Sequence, residues 1–97
     1  MANMDLVVKG GASFAKSLLQ ELADVGISVG SPPVVWNRNG RLENVPTQAM
    51  RLTTGRSSET TCQVQTSDLE GAARGLANCR ATLDLLIAGI VDRLVKA

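Results

Sequence analysis

Apolar positions recur along the last third of the chain with a period that a helix satisfies. Leu69, Leu76, Leu83 and Ile90 are seven residues apart, and Ala72, Cys79 and Leu86 fall between them, so one stripe is apolar from Ser67 to Ala97. Ser67 followed by Glu70 has the spacing of a capping box. Asp68 and Glu70 near the start and Arg93 and Lys96 near the end suit the helix dipole. Glu70 and Arg74, Arg80 and Asp84, and Asp92 and Lys96 are spaced to pair on the outer face. The pattern predicts one long helix over about 67–96.

A second helical pattern lies near the start. Met4 to Val8 is a short apolar run readable as a strand or as the lead-in to a helix, and Gly10 and Gly11 interrupt it. Ser13 then serves as an N-cap for Phe14, Leu18, Leu22 and Val25, with Ala15 and Leu19 widening the face and Gly26 as the stop, which gives a helix over about 13–25.

Between the helices the period changes to two. Gly30, Ser31, Pro32 and Pro33 read as a linker. Asn39-Gly40 is a strong hairpin signal, and the segments flanking it form a hairpin over about 34–45 in which Trp36 faces Glu43 and Arg38 faces Arg41. A second hairpin over about 49–66 alternates more clearly. If Thr54 faces Thr60, Met50, Leu52, Cys62 and Val64 share one face, and Arg51, Thr53, Thr61, Gln63 and Gln65 share the other. The expected fold is α+β in two layers: an N-terminal helix, a four-stranded antiparallel meander and a long C-terminal helix, with the whole chain 1–97 as one domain.

The expected lengths do not match. A strand of six residues spans about 20 Å, and a helix of thirty spans about 45 Å. The overhang would leave Leu83, Leu86, Ile87, Ile90, Val91 and Leu94 without cover, with Leu85 outside their arc, and each large aliphatic side chain left in water forfeits roughly 1.5 to 3 kcal/mol. Leu76, Leu83, Leu86, Ile87, Ile90 and Leu94 are therefore expected to form an interface with a second copy of the chain, the alternative being that the first helix and the sheet cover the stripe. Gly71, Ala72, Gly75 and Ala77 add a small-residue patch where another backbone can come close.

Composition narrows the chemistry. Apolar residues at 44%, charged residues at 20% and a net charge of +1 describe an ordinary globular chain with no general attraction for nucleic acid or an anionic membrane. No apolar run approaches the ~20 residues a membrane span needs and no signal-peptide pattern opens the chain, so a cytoplasmic location is expected, that of the host cell if the chain is phage-encoded. Histidine and tyrosine are absent, and Ser57, Ser58, Thr60 and Thr61 have no evident activating base, which argues against an enzyme. Cys62 and Cys79 cannot make a zinc site by themselves and read as buried thiols, so no metal or other cofactor is expected.

Two segments suggest contacts. Lys9-Gly10-Gly11-Ala12-Ser13 before a helix has the look of a phosphate-binding turn, but it lacks the spacing and the Lys-Ser/Thr ending of that motif and reads better as a flexible lead-in. Arg38, Arg41, Arg51 and Arg56 are the one basic concentration, close to Trp36, and can grip phosphates while the indole stacks on a base. The same surface can instead be a solvated sheet face or a protein contact. The order helix, strands, long helix is shared by small dimeric nucleoid-associated and phage accessory proteins, a likeness of topology alone. The expected function is that of a small homo-oligomeric interaction protein of that accessory type, with the hairpins turned to a macromolecular partner. Nucleic-acid or nucleotide-phosphate binding, and inhibition of one specific protein, are the alternatives.

Overall fold

The N-terminal helix starts nine residues earlier than the glycine pair suggests. In the computed structural model, which describes residues 2–55 and 57–96, α1 runs over Met4–Asp24. Asn3 caps it: the side-chain oxygen accepts from the N–H of Asp5 at 3.1 Å and of Leu6 at 3.4 Å. Val7, Gly10, Gly11, Phe14, Leu18 and Leu22 form its buried face. Gly10 and Gly11 therefore belong to the helix and give its face two places where neighbours come close. A Cβ at Gly10 would collide with the carbonyl of Leu69, a backbone atom that no rotamer change can move. The phosphate-turn reading fails for the same reason, because these amides lie inside the helix. Gly26 does end α1 as expected, with a φ of 76°.

The sheet has three strands in the order β1-β2-β3: β1 is Val29–Trp36, β2 Thr47–Thr54 and β3 Ser58–Gln65. The four-stranded meander is thus corrected to three. Asn39-Gly40 lies in a turn, but the chain does not pair back on itself there. Trp36 sits opposite Met50, not Glu43. Burial decides between the two pairings: β2 puts Gln48, Met50, Leu52 and Thr54 inside, whereas the segment after Asn39-Gly40 has only Leu42 to bury. Pro32 and Pro33 stand within β1, where the register slips between Val29 and Val34, as prolines in an edge strand allow.

The second hairpin forms. Thr54 lies opposite Ser58 and Leu52 opposite Thr60, a register two residues from the expected one. A shift of two preserves the faces. Met50, Leu52 and Val64 are buried, while Glu59, Thr61, Gln63 and Gln65 are exposed on the other side.

The long C-terminal helix is broken in two. α2 covers Thr66–Ala73 and α3 covers Ala77–Lys96. Between them Gly75 takes a φ of 87°, its N–H donates to the Ala72 carbonyl at 3.0 Å, and the N–H of Leu76 donates to the Gly71 carbonyl at 2.9 Å. This is a Schellman stop. A straight helix of about 45 Å would outrun a molecule whose longest dimension is 37 Å, and the stop turns α3 back onto the core. Leu83, Ile87 and Ile90 join Val7, Phe14, Leu18, Leu22, Met50, Leu52, Val64 and Leu69 in one cluster, fed by α1, β2, β3, α2 and α3.

The capping box does not form as expected. Gln65 occupies the N-cap of α2 without a side-chain bond, and the Glu70 carboxylate accepts from the Asn3 N–H at 2.7 Å and from Arg74 at 3.3 Å. The Asn3 amide first, then Arg74, holds the Glu70 carboxyl below the usual glutamate range. A carboxyl depressed on folding stabilises the fold above its unfolded pKa, and the effect fades as pH falls through the folded value. Thermal melts of wild type and Glu70→Gln are expected to differ at pH 7 and to converge in acid. Equal melting temperatures at pH 7 would show that this tie between the first residues and α2 contributes nothing.

Candidate functional site

The connection from Asn37 to Pro46 carries no regular structure, yet it is held at many points. Gln48, on the inner face of β2, is fully buried and uses its whole amide. Its Oε1 accepts from Asn37 Nδ2 at 2.7 Å and from the Glu43 N–H at 3.1 Å, and its Nε2 donates to the Glu43 carbonyl at 2.6 Å and to Thr66 Oγ1 at 2.9 Å. Thr66 Oγ1 donates in turn to the Val45 carbonyl, and the Thr66 N–H donates to the Pro46 carbonyl at 3.0 Å. Among the described residues no buried side-chain nitrogen or oxygen lacks a partner.

Asn37 opens the loop with a φ of 56°, a left-handed conformation that asparagine tolerates better than most residues. Its N–H donates to the Ala49 carbonyl at 2.7 Å, its Oδ1 accepts from the Ala49 N–H at 2.9 Å, and Nδ2 also reaches the Arg41 carbonyl at 2.9 Å. Leu42 completes the anchoring, packing on the core so closely that a Cβ at Gly11 would strike its side chain. Outward from these anchors Arg38, Asn39, Gly40, Arg41, Glu43 and Asn44 are exposed.

The residues expected to contact a partner are thus divided. Arg38 and Arg41 stand on the loop, and neither makes an ion pair among the described residues. Arg51 lies on the outer sheet face but is committed locally: Nε and Nη2 donate to the Asn37 carbonyl at 3.2 and 2.9 Å, and Nη1 is 3.9 Å from Glu59. Arg56 lies outside the described residues. Trp36, expected as a stacking platform, is half-buried against the core, its ring 6.2 Å from that of Phe14 at an interplanar angle of 51°.

Most of the expected oligomer stripe turns inward within the chain. Leu83, Ile87 and Ile90 are buried within the chain, and Leu86 and Leu94 are half-buried against the same core, because the Gly75 stop folds α3 inward. Leu76, in the turn itself, stays exposed. Gly71 lets Cys79 come close, so part of the small-residue patch is used between helices of one chain.

Beside α1 and α3 lies a cleft of about 230 Å³, floored by Phe14, Leu83 and Ile87 and edged by Lys9, Ser13, Arg80 and Asp84. Arg80 and Asp84 form no ion pair, whereas Glu70 with Arg74 and Asp92 with Lys96 do. Burial pushes the Cys62 thiol up, against the opposing charge of Arg93, which keeps it protonated and poorly nucleophilic. Both cysteines are free thiols. Among the described residues no helix is long and apolar enough to cross a membrane.

No known protein family, no curated protein and no solved structure matches this chain.

The loop anchors were not foreseen from the sequence. Gln48 gives one signal, a polar residue at i−2 from Met50 and i−4 from Leu52 on an otherwise apolar strand face. A polar side chain in that position must find partners, and the segment just before it is the nearest supply.

Proposed function

We propose that the chain is a small non-enzymatic interaction protein of the accessory or regulatory kind, and that it engages a macromolecular partner through the loop Asn37 to Pro46. The observation that carries this reading is the Gln48 and Asn37 network, which fixes an irregular loop while its exposed side chains make few bonds of their own. Irregular backbone held rigid over a scaffold is the usual setting of a recognition surface, since binding then costs little further ordering. Arg38 and Arg41 are the residues assigned to the contact, because both are exposed and without an ion-pair partner among the described residues.

The double variant Arg38→Glu/Arg41→Glu should keep its stability within about 0.5 kcal/mol, as exposed substitutions do. Affinity isolation from the cells that produce the chain, run with wild type and variant side by side, tests the assignment. A partner recovered by the wild type and lost by the variant supports it, and equal recovery by both removes the loop from the interface.

The two free arginines also favour a second reading, contact with nucleic-acid phosphates. Salt separates it from the first. Two phosphate contacts give a slope of roughly −2 in log affinity against log salt on duplex DNA. Fluorescence anisotropy with a labelled duplex and a labelled single strand, read across salt, would show that slope if the reading holds and no saturable binding if it does not.

A further inference from the structure

We infer that β3 is the docking edge for a second copy of the chain, the two β3 strands pairing antiparallel about a two-fold axis to give one six-stranded sheet. This inference does not depend on the loop reading. It starts from the direction of the backbone groups. The Asn37 N–H donates to the Ala49 carbonyl, so Ala49 points its backbone groups at β1. Because directions alternate along a strand, Gln48, Met50, Leu52 and Thr54 point theirs at β3. Their opposite residues, Val64, Cys62, Thr60 and Ser58, point back at β2. Glu59, Thr61, Gln63 and Gln65 therefore aim N–H and C=O away from the sheet. The Gln65 carbonyl, as the N-cap of α2, accepts the first bond of that helix; the other outward groups have no backbone partner among the described residues, and all four residues are exposed. The nearest side-chain approach is the Cys62 thiol, 3.8 Å from the Gln63 carbonyl.

Open edges of this kind are normally shielded by proline, lysine, a bulge or a covering segment. β1, the other edge, has that protection in Pro32, Pro33 and its slipped register. β3 has little of it: all eight residues pair in register with β2, the strand contains no proline and no lysine, and Glu59 is its one charge. The helices lie against its face, with Arg93 acting on Cys62 and Leu94 beside Ser58 and Thr60, and leave its edge open.

The strand's own sequence suits a copy of itself. With Cys62 on the two-fold axis, all four outward residues find a partner: Thr61 opposite Gln63, exchanging two backbone hydrogen bonds, and Glu59 opposite Gln65, where the Gln65 N–H donates to the Glu59 carbonyl. No like charges meet, and Thr60 falls opposite Val64 on the inner face. Since β1 is blocked, the assembly closes at two copies and cannot extend as a filament. A strand edge alone covers well under the ~800 Å² per partner of a standard interface, so a weak, concentration-dependent association is expected.

Sedimentation velocity over a wide concentration range, with amide hydrogen exchange at both ends of it, tests the inference. Wild type is expected to pass from monomer to dimer. The Thr61, Gln63 and Gln65 amides should gain protection in the dimer, while Thr60, Cys62 and Val64 are protected throughout. Thr61→Pro deletes one outward donor without touching the β2 ladder, and Thr61→Lys/Gln63→Lys adds the usual edge charges; both should stay monomeric wherever wild type dimerises. A wild type that is monomeric at every concentration, a dimer that both variants retain, or outward amides whose exchange ignores concentration would each overturn it.

Discussion

Gly10→Ala is expected to lower the unfolding free energy by about 2 to 4 kcal/mol, although alanine is the better helix former by about 1 kcal/mol. The sign is unusual for a glycine in mid-helix and follows from what the added methyl meets. At Gly10 it runs into the carbonyl, the carbonyl carbon and the Cα of Leu69, all backbone. α1 and α2 can accept it only by moving apart, which opens the cluster around Val7, Phe14 and Leu69. For a domain of this size the loss should appear as a fall in melting temperature of roughly 10 to 20 °C. The neighbouring Gly11→Ala supplies the contrast. There the methyl meets the end of the Leu42 side chain, which can rotate away, so the cost should stay near or below about 1 kcal/mol. Urea denaturation of the two variants checks the pair. Similar stabilities, or a stabilised Gly10→Ala, would mean that α1 and α2 do not cross as closely as described.

That contrast also shows where the sequence was readable. Alternation along β2 and β3 placed Met50, Leu52 and Val64 inside and Thr61, Gln63 and Gln65 outside, and the structure agrees despite a register two residues off. Face depends on parity, which local pattern carries. Register depends on turn geometry, which it does not. The glycines misled in both directions for one reason: glycine is used here for close approach and for positive φ, and spacing alone does not tell the two apart. Gly10 looked like a breaker and is a contact point within α1; Gly75 looked like a contact point and is the stop between α2 and α3. The basic Arg74 before Gly75 was the available sign of a helix end.

The candidate site was legible only in its exposed part. Arg38 and Arg41 stood out by charge and remain at the surface, but their mounting changed from a hairpin to a pinned loop because β1 chose β2 as its partner. That choice is a long-range competition for burial, decided by Met50 and Leu52, and no window around Asn39-Gly40 contains it. The apolar stripe of the last helix was also real. Its cover turned out to be the chain itself once Gly75 folded Leu83, Ile87 and Ile90 inward.

Gln48→Leu should destabilise the protein by about 2 to 3 kcal/mol, even though it exchanges a buried polar side chain for an apolar one of similar size. Burial alone predicts the opposite sign. The outcome turns on what the amide leaves behind. Asn37 Nδ2 keeps the Arg41 carbonyl and Thr66 keeps Val45, but the Glu43 N–H and C=O lose the partners they have in Gln48. They can regain partners only from water, which requires the loop to lift. Hydrogen exchange should therefore show the Glu43 amide losing protection while those of Met50, Leu52 and Cys62 in the sheet keep theirs. Any partner that depends on Arg38 and Arg41 should bind more weakly to Gln48→Leu although both arginines are intact, because the variant must first reorder the loop that carries them. A variant as stable as wild type, with Glu43 still protected, would mean that Leu42 and Thr66 hold the loop unaided. The buried amide would then be a tolerated polar group, and the order of the loop would lose its weight as a sign of recognition.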